Sequence, residues 1–118
     1  MAQEMRATDL KPEPKITAEQ LNKRGACLPD ILLFKRMFGN ETVVTVALAS
    51  SVAHLFDFGW ATHELLFEDD CKAVFDAVIK RCVPPPDKEN WVDGSTSLLE
   101  ATAQEFARKY VEVYPHVP

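Results

Sequence analysis

The chain has 118 residues, 47% of them hydrophobic and 26% charged, with a formal net charge of −5. This is the length of one domain and is enough to bury a core without disulfide or metal staples. The acidic balance excludes a general nucleic-acid binder and a binder of anionic membranes, which both need a basic face, but it suits a basic protein surface.

Residues 1–15 are polar and lack the apolar segment of a signal peptide. Pro12 and Pro14 prevent a continuous helix, so this stretch reads as a flexible arm. No apolar run reaches bilayer-spanning length, and Cys27, Cys71 and Cys82 are odd in number and widely spaced. Both observations point to the cytoplasm and to reduced thiols.

The first helix is expected from about Ala18 to Arg24. Thr17 is its N-cap, Gln20 completes a capping box, Ile16 and Leu21 form a staple, and Gly25 ends it. A second helix starts near Pro29, with Asp30 in its first turn and an apolar stripe of Ile31, Leu32, Phe34, Met37 and Phe38. It ends at Gly39-Asn40. Thr42–Val46 is rich in β-branched residues, yet a lone strand has no obvious partner, so a turn leading to Thr45 as N-cap is preferred. The third helix then covers about Val46 to Leu55. Asp57 caps a short helix that turns Trp60, Ala61, Leu65 and Leu66 inward.

A longer helix begins at the acidic run Glu68-Asp69-Asp70, with Cys71, Val74, Phe75, Val78, Ile79 and Cys82 at helical spacing. The segment 83–87 is a proline-rich break, and 88–94 is a loop carrying Trp91. The last helix runs from about Thr96 to Val113, with Ser97 and Glu100 as a capping box. Its stripe is Leu98, Leu99, Ala103, Phe106, Ala107, Tyr110 and Val113. The sum is an all-α single domain of five to six helices over residues 16–118.

No motif supplies a catalytic set. Asp57-Phe58-Gly59 matches the kinase magnesium motif in letters alone, and His63-Glu64 lacks a second histidine four residues on. Phe56, Phe58 and Trp60 read as core aromatics. Glu64, Glu68, Asp69 and Asp70 form an acidic cluster suited to steering toward a basic partner. Trp91, Tyr110 and Tyr114 are the candidate anchors, since aromatic side chains dominate binding hot spots.

Residues Ile16 to Leu66 resemble a recurrent segment in uncharacterised small proteins of bacteria and their phages. The resemblance rests on ITAEQLNKRGAC, on Phe34 through Phe38-Gly39, on Val43-Val44-Thr45 and on FDFGWATHELL. The relatives carry Trp where Phe58 stands and a simpler alanine-rich tail, so the proline-rich break and the Trp91 loop depart from the pattern. The resemblance implies context more than chemistry. Small acidic phage proteins often bind and block a host protein, as inhibitors of CRISPR–Cas systems do.

The expected function is therefore a protein-binding inhibitor of phage or mobile-element type. It is expected to use no metal or cofactor, to perform no catalysis, and to make no direct contact with nucleic acid. One alternative is a metal-binding protein or enzyme using His54, His63 and Cys27 or Cys71. The other is a self-assembling structural protein whose last helix pairs between copies.

Overall fold

The computed structural model describes residues 12–82 and 98–118. The protein is mostly helical, with six helices and one two-stranded sheet among the described residues. In chain order these are β1 (Lys15–Thr17), α1 (Ala18–Lys23), α2 (Leu28–Phe38), β2 (Glu41–Val43), α3 (Val46–Ser51), α4 (Phe58–Leu65), α5 (Glu68–Cys82) and α6 (Leu98–Val113). None of the described helices is long and apolar enough to cross a membrane.

The helix starts follow from local chemistry. The Thr17 hydroxyl accepts from the Gln20 amide at 3.0 Å, and the Gln20 side-chain oxygen accepts from the Thr17 amide at 3.3 Å. This reciprocal pair satisfies two amides that the first turn of α1 leaves open. Thr45 Oγ1 accepts from the Leu48 amide at 3.0 Å to cap α3, and Asp57 Oδ1 accepts from the Trp60 amide at 2.9 Å to cap α4. Beyond the ends of α1 and α2, Gly25 and Gly39 adopt φ of 89° and 80°, a region that side chains with a Cβ rarely enter. The cap expected at Ser97 lies outside the described residues, as do the proline-rich break and the Trp91 loop.

The sheet departs from the sequence expectation. β1 and β2 pair antiparallel, with Lys15 opposite Val43, Ile16 opposite Thr42 and Thr17 opposite Glu41. The ladder extends where the Val44 amide donates to the Pro14 carbonyl at 2.7 Å and the Ala18 amide donates to the Asn40 carbonyl at 2.8 Å. The strand that lacked a visible partner thus finds it just ahead of α1, in Lys15–Thr17, whose first residue falls in the stretch read as the arm. Proline forbids helix there but suits a strand edge, where its carbonyl still accepts. Residues 14 and 15 therefore belong to the fold, and Thr45 keeps its cap role immediately after β2.

The elements pack in two groups. β1, β2, α1 and α2 pack among themselves, while α3, α4 and α5 gather on α6. Helix α6 is the hub of the second group: Ala101, Ala103, Phe106, Ala107 and Tyr110 are fully buried. Its alanines let neighbouring backbones approach closely. Polar side chains lock two of these contacts. Arg81 on α5 donates to Glu105 at 2.7 Å and to Gln104 at 2.8 Å. Ser50 on α3 donates to Glu100 at 2.9 Å and accepts from Gln104 at 3.1 Å.

The buried stripes are narrower than the periodicity suggests. Helix α2 buries Ile31 and Phe34 but exposes Leu32 and Met37. Helix α5 buries Cys71, Val74 and Val78 and exposes Ile79, and α6 exposes Leu98 and Leu99. Helix α3 also ends at Ser51, earlier than expected, and the chain turns through Val52 to Leu55.

The two groups meet along a seam crossed by side chains. Phe56 packs on Phe34 and Phe38 at ring-centroid distances of 6.5 and 6.2 Å. Arg24, just past the end of α1, donates to Glu64 on α4 at 3.2 Å. At the centre, the Tyr110 hydroxyl donates to the Lys15 carbonyl at 2.7 Å and accepts from the Gln20 side-chain amide at 3.3 Å. Replacing Tyr110 with Phe keeps the ring and removes both bonds. We expect a loss of about 1–2 kcal/mol in urea unfolding and faster hydrogen exchange at the Val44 amide.

Burial pushes the Tyr110 hydroxyl up to about 12 from an ordinary 10.0. The folded state then keeps a proton that the unfolded chain releases, so this group's contribution is full below pH 10 and lost as pH rises toward 12. Between those limits the wild type should lose stability more steeply than Tyr110→Phe, read as the difference between their urea midpoints.

Candidate functional site

The acidic cluster marks the start of α5 and the exposed face beside α4. Glu68, Asp69 and Asp70 fill the first turn of α5, where carboxylates face the positive end of the helix dipole. They are not equivalent. Glu68 lies 3.6 Å from Lys72, an exposed pair one turn apart of the kind that contributes little to stability. Asp69 and Asp70 make no ion pair among the described residues. Glu64 stands apart from the other three, committed to Arg24 across the seam.

A shallow groove runs along this face between α4 and α5. Leu66, Phe75 and Ile79 give it an apolar floor, and Glu68, Asp69, Asp76 and Lys72 give it a charged rim, in which Glu68 pairs with Lys72 and Asp76 lies 3.8 Å from Lys80. Ile79 is 56% exposed, and Phe75 is half-buried against the His63 ring at a centroid distance of 5.3 Å. The helical spacing of α5 assigned Phe75 and Ile79 to the core. The structure instead turns them toward the groove, because α6 covers only the Cys71, Val74 and Val78 side of the helix.

The aromatic anchors fare differently. Tyr110 is a correction: it is fully buried and its hydroxyl both donates and accepts a hydrogen bond, so it holds the core and offers nothing to a partner. Tyr114 is partly buried, with its ring 5.5 Å from that of Tyr110. Trp91 lies outside the described residues.

The ligand set His54, His63 and Cys71 is not assembled. Cys71 Sγ does lie 3.8 Å from His63 Nδ1. Among the described residues, however, no group of three or more His, Cys, Asp or Glu side chains is placed to hold a metal ion. Burial, with Glu68 adding to it, raises the Cys71 thiol above its ordinary value, which keeps it protonated. A protonated thiol is a poor nucleophile and a poor ligand. Cys27 is exposed at the start of α2, and its side chain makes no capping bond there.

A second feature lies at the seam and has no counterpart in the sequence expectations. Phe34, Phe38, Phe56, Phe58, Trp60 and Phe106 contribute to the lining of a cavity of about 90 Å³. Ile16, Val44, Leu48, Ala49 and Val52 close the rest of the wall, with Asp30 and Asp57 as its ionisable members. Core assignment from the sequence identified these aromatic residues as inward-facing. Whether their rings close the space or leave it open depends on the angle between the two packing groups, which no local pattern encodes.

Compared with protein-family models, curated proteins and solved structures, the chain matches none.

The two cysteine environments lead to a direct contrast. In variants retaining only Cys27 or only Cys71, iodoacetamide at pH 8 should alkylate Cys27 at least tenfold faster. Denaturant should bring the two rates together.

Proposed function

We propose that the protein is a protein-binding inhibitor of phage or mobile-element type, which uses the α4–α5 groove to occupy a basic surface of a host protein. The observation that carries this reading is the exposed Ile79, set beside Phe75 within a charged rim where three carboxylates meet one lysine. An apolar centre inside a charged rim is the usual anatomy of a protein interface. The excess of carboxylates in the rim and the net charge of −5 favour a basic partner surface, such as the channel of a nucleic-acid-binding defence complex.

The groove suits binding better than chemistry. Its thiol is held protonated, and its one cysteine–histidine contact has no third group converging on it. Asp69 is the better probe of steering than Glu64, because Glu64 already serves the fold through Arg24.

The test is capture from host cells with the tagged chain, run in parallel with two variants. Ile79→Asp combined with Asp69→Lys should lose the captured partner. Leu32→Asp, on the exposed face of α2, should retain it. With the purified partner, the association rate of the wild type should fall at least tenfold between 20 mM and 500 mM salt. A partner held equally by the groove variant, at any ionic strength, would rule this surface out.

A further inference from the structure

The seam cavity is a different surface from the α4–α5 groove, and it has the chemistry of a small-molecule site. Its wall is built from both packing groups: Phe34, Phe38 and Val44 from one, Phe58, Trp60 and Phe106 from the other. A volume of about 90 Å³ is several times the roughly 10–15 Å³ that one water requires. Water is nonetheless a poor occupant, because each molecule needs two to four polar partners. The polar groups at the wall are largely engaged: Thr45 Oγ1 accepts from Leu48, Asp57 Oδ1 accepts from Trp60, and Thr42 Oγ1 donates to the Val43 carbonyl at 3.5 Å. A wall this apolar favours an apolar molecule over water.

The charge of the wall narrows the choice further. Its ionisable side chains, Asp30 and Asp57, are both carboxylates. Asp57 is occupied in capping α4, whereas Asp30 makes no hydrogen bond or ion pair among the described residues. A carboxylate facing an apolar space disfavours an anion and favours an ammonium group at the same position. An aromatic ring in the wall favours a cation in the same sense where it presents its face.

We propose that the seam cavity binds a small apolar molecule, a single ring or a short chain, that is neutral or carries an amine, and that it excludes the corresponding carboxylic acids. Because the wall belongs to both groups, the occupant ties them together and stabilises the whole fold by mass action.

Trp60 reports on the site directly. The chain has two tryptophans, so Trp91→Phe leaves Trp60 as the only one. In that background, toluene and benzylamine should each change Trp60 emission saturably, with half-saturation at or below about 1 mM. Benzoate should bind at least tenfold more weakly than benzylamine. Ala49→Leu fills the cavity from α3 and should weaken toluene at least tenfold. Val52→Ile, a smaller filling, covers the case in which Ala49→Leu fails to fold. Methyl resonances of Val44, Leu48 and Leu65 should shift with toluene in the wild type. The proposal is overturned by an absence of saturable change in both emission and methyl shifts, or by equal affinity in a folded filled variant. Equal binding of benzoate and benzylamine overturns its charge selection.

Discussion

The hydroxyl of Tyr110 donates to the Lys15 carbonyl and accepts from Gln20, joining α6 to the first strand and first helix. Each of those partners is itself committed elsewhere. Lys15 begins the strand that pairs with β2, and Gln20 completes the capping box of α1. A buried polar atom of this kind must find partners or cost stability, so its two bonds fix where the sheet sits over α6. The position of the sheet then fixes α2, and the position of α2 sets how its phenylalanines meet Phe56.

This arrangement explains why the seam is held by long side chains instead of close backbone packing. On the α6 side, alanines allow tight contact, and Arg81 and Ser50 lock the neighbouring helices by hydrogen bonds to Glu105, Gln104 and Glu100. On the sheet side, the short elements bury only a few side chains each. Ring stacking, one exposed Arg24–Glu64 pair and the tyrosine bridge join the two halves. Rings from both halves line the cavity that remains between them.

The legible parts of the sequence were those decided within one turn of chain. Thr17 with Gln20, Thr45, Asp57, Gly25 and Gly39 each act on neighbours three or four residues away, and each stands where local chemistry put it. The β1–β2 pair was not legible, because Lys15 meets Val43 only once α1 and α2 have folded back between them. Tyr110 was ambiguous for a related reason. Its place on the stripe of α6 was clear, but whether the ring faced core or partner depended on a carbonyl 95 residues earlier. Ile79 failed in the opposite direction: helical periodicity marks a broad apolar face, and only the neighbours decide how much of it is covered. The acidic start of α5 was plain from three consecutive carboxylates, yet the commitment of Glu64, apart from them, to the fold required the position of Arg24.

The tyrosine bridge also bears on how the chain matures during synthesis. Helix α6 is the last of the described helices to be made, and three others depend on its buried face. The sheet emerges first but waits for Tyr110 before it gains its anchor. While the ribosome is still translating, the early segments therefore hold capped helices and a strand pair without a shared core. Phe58, whose ring meets Phe106 at 5.8 Å, gains that neighbour only when α6 is made, so the second packing group closes later than the contacts among Phe34, Phe38 and Phe56.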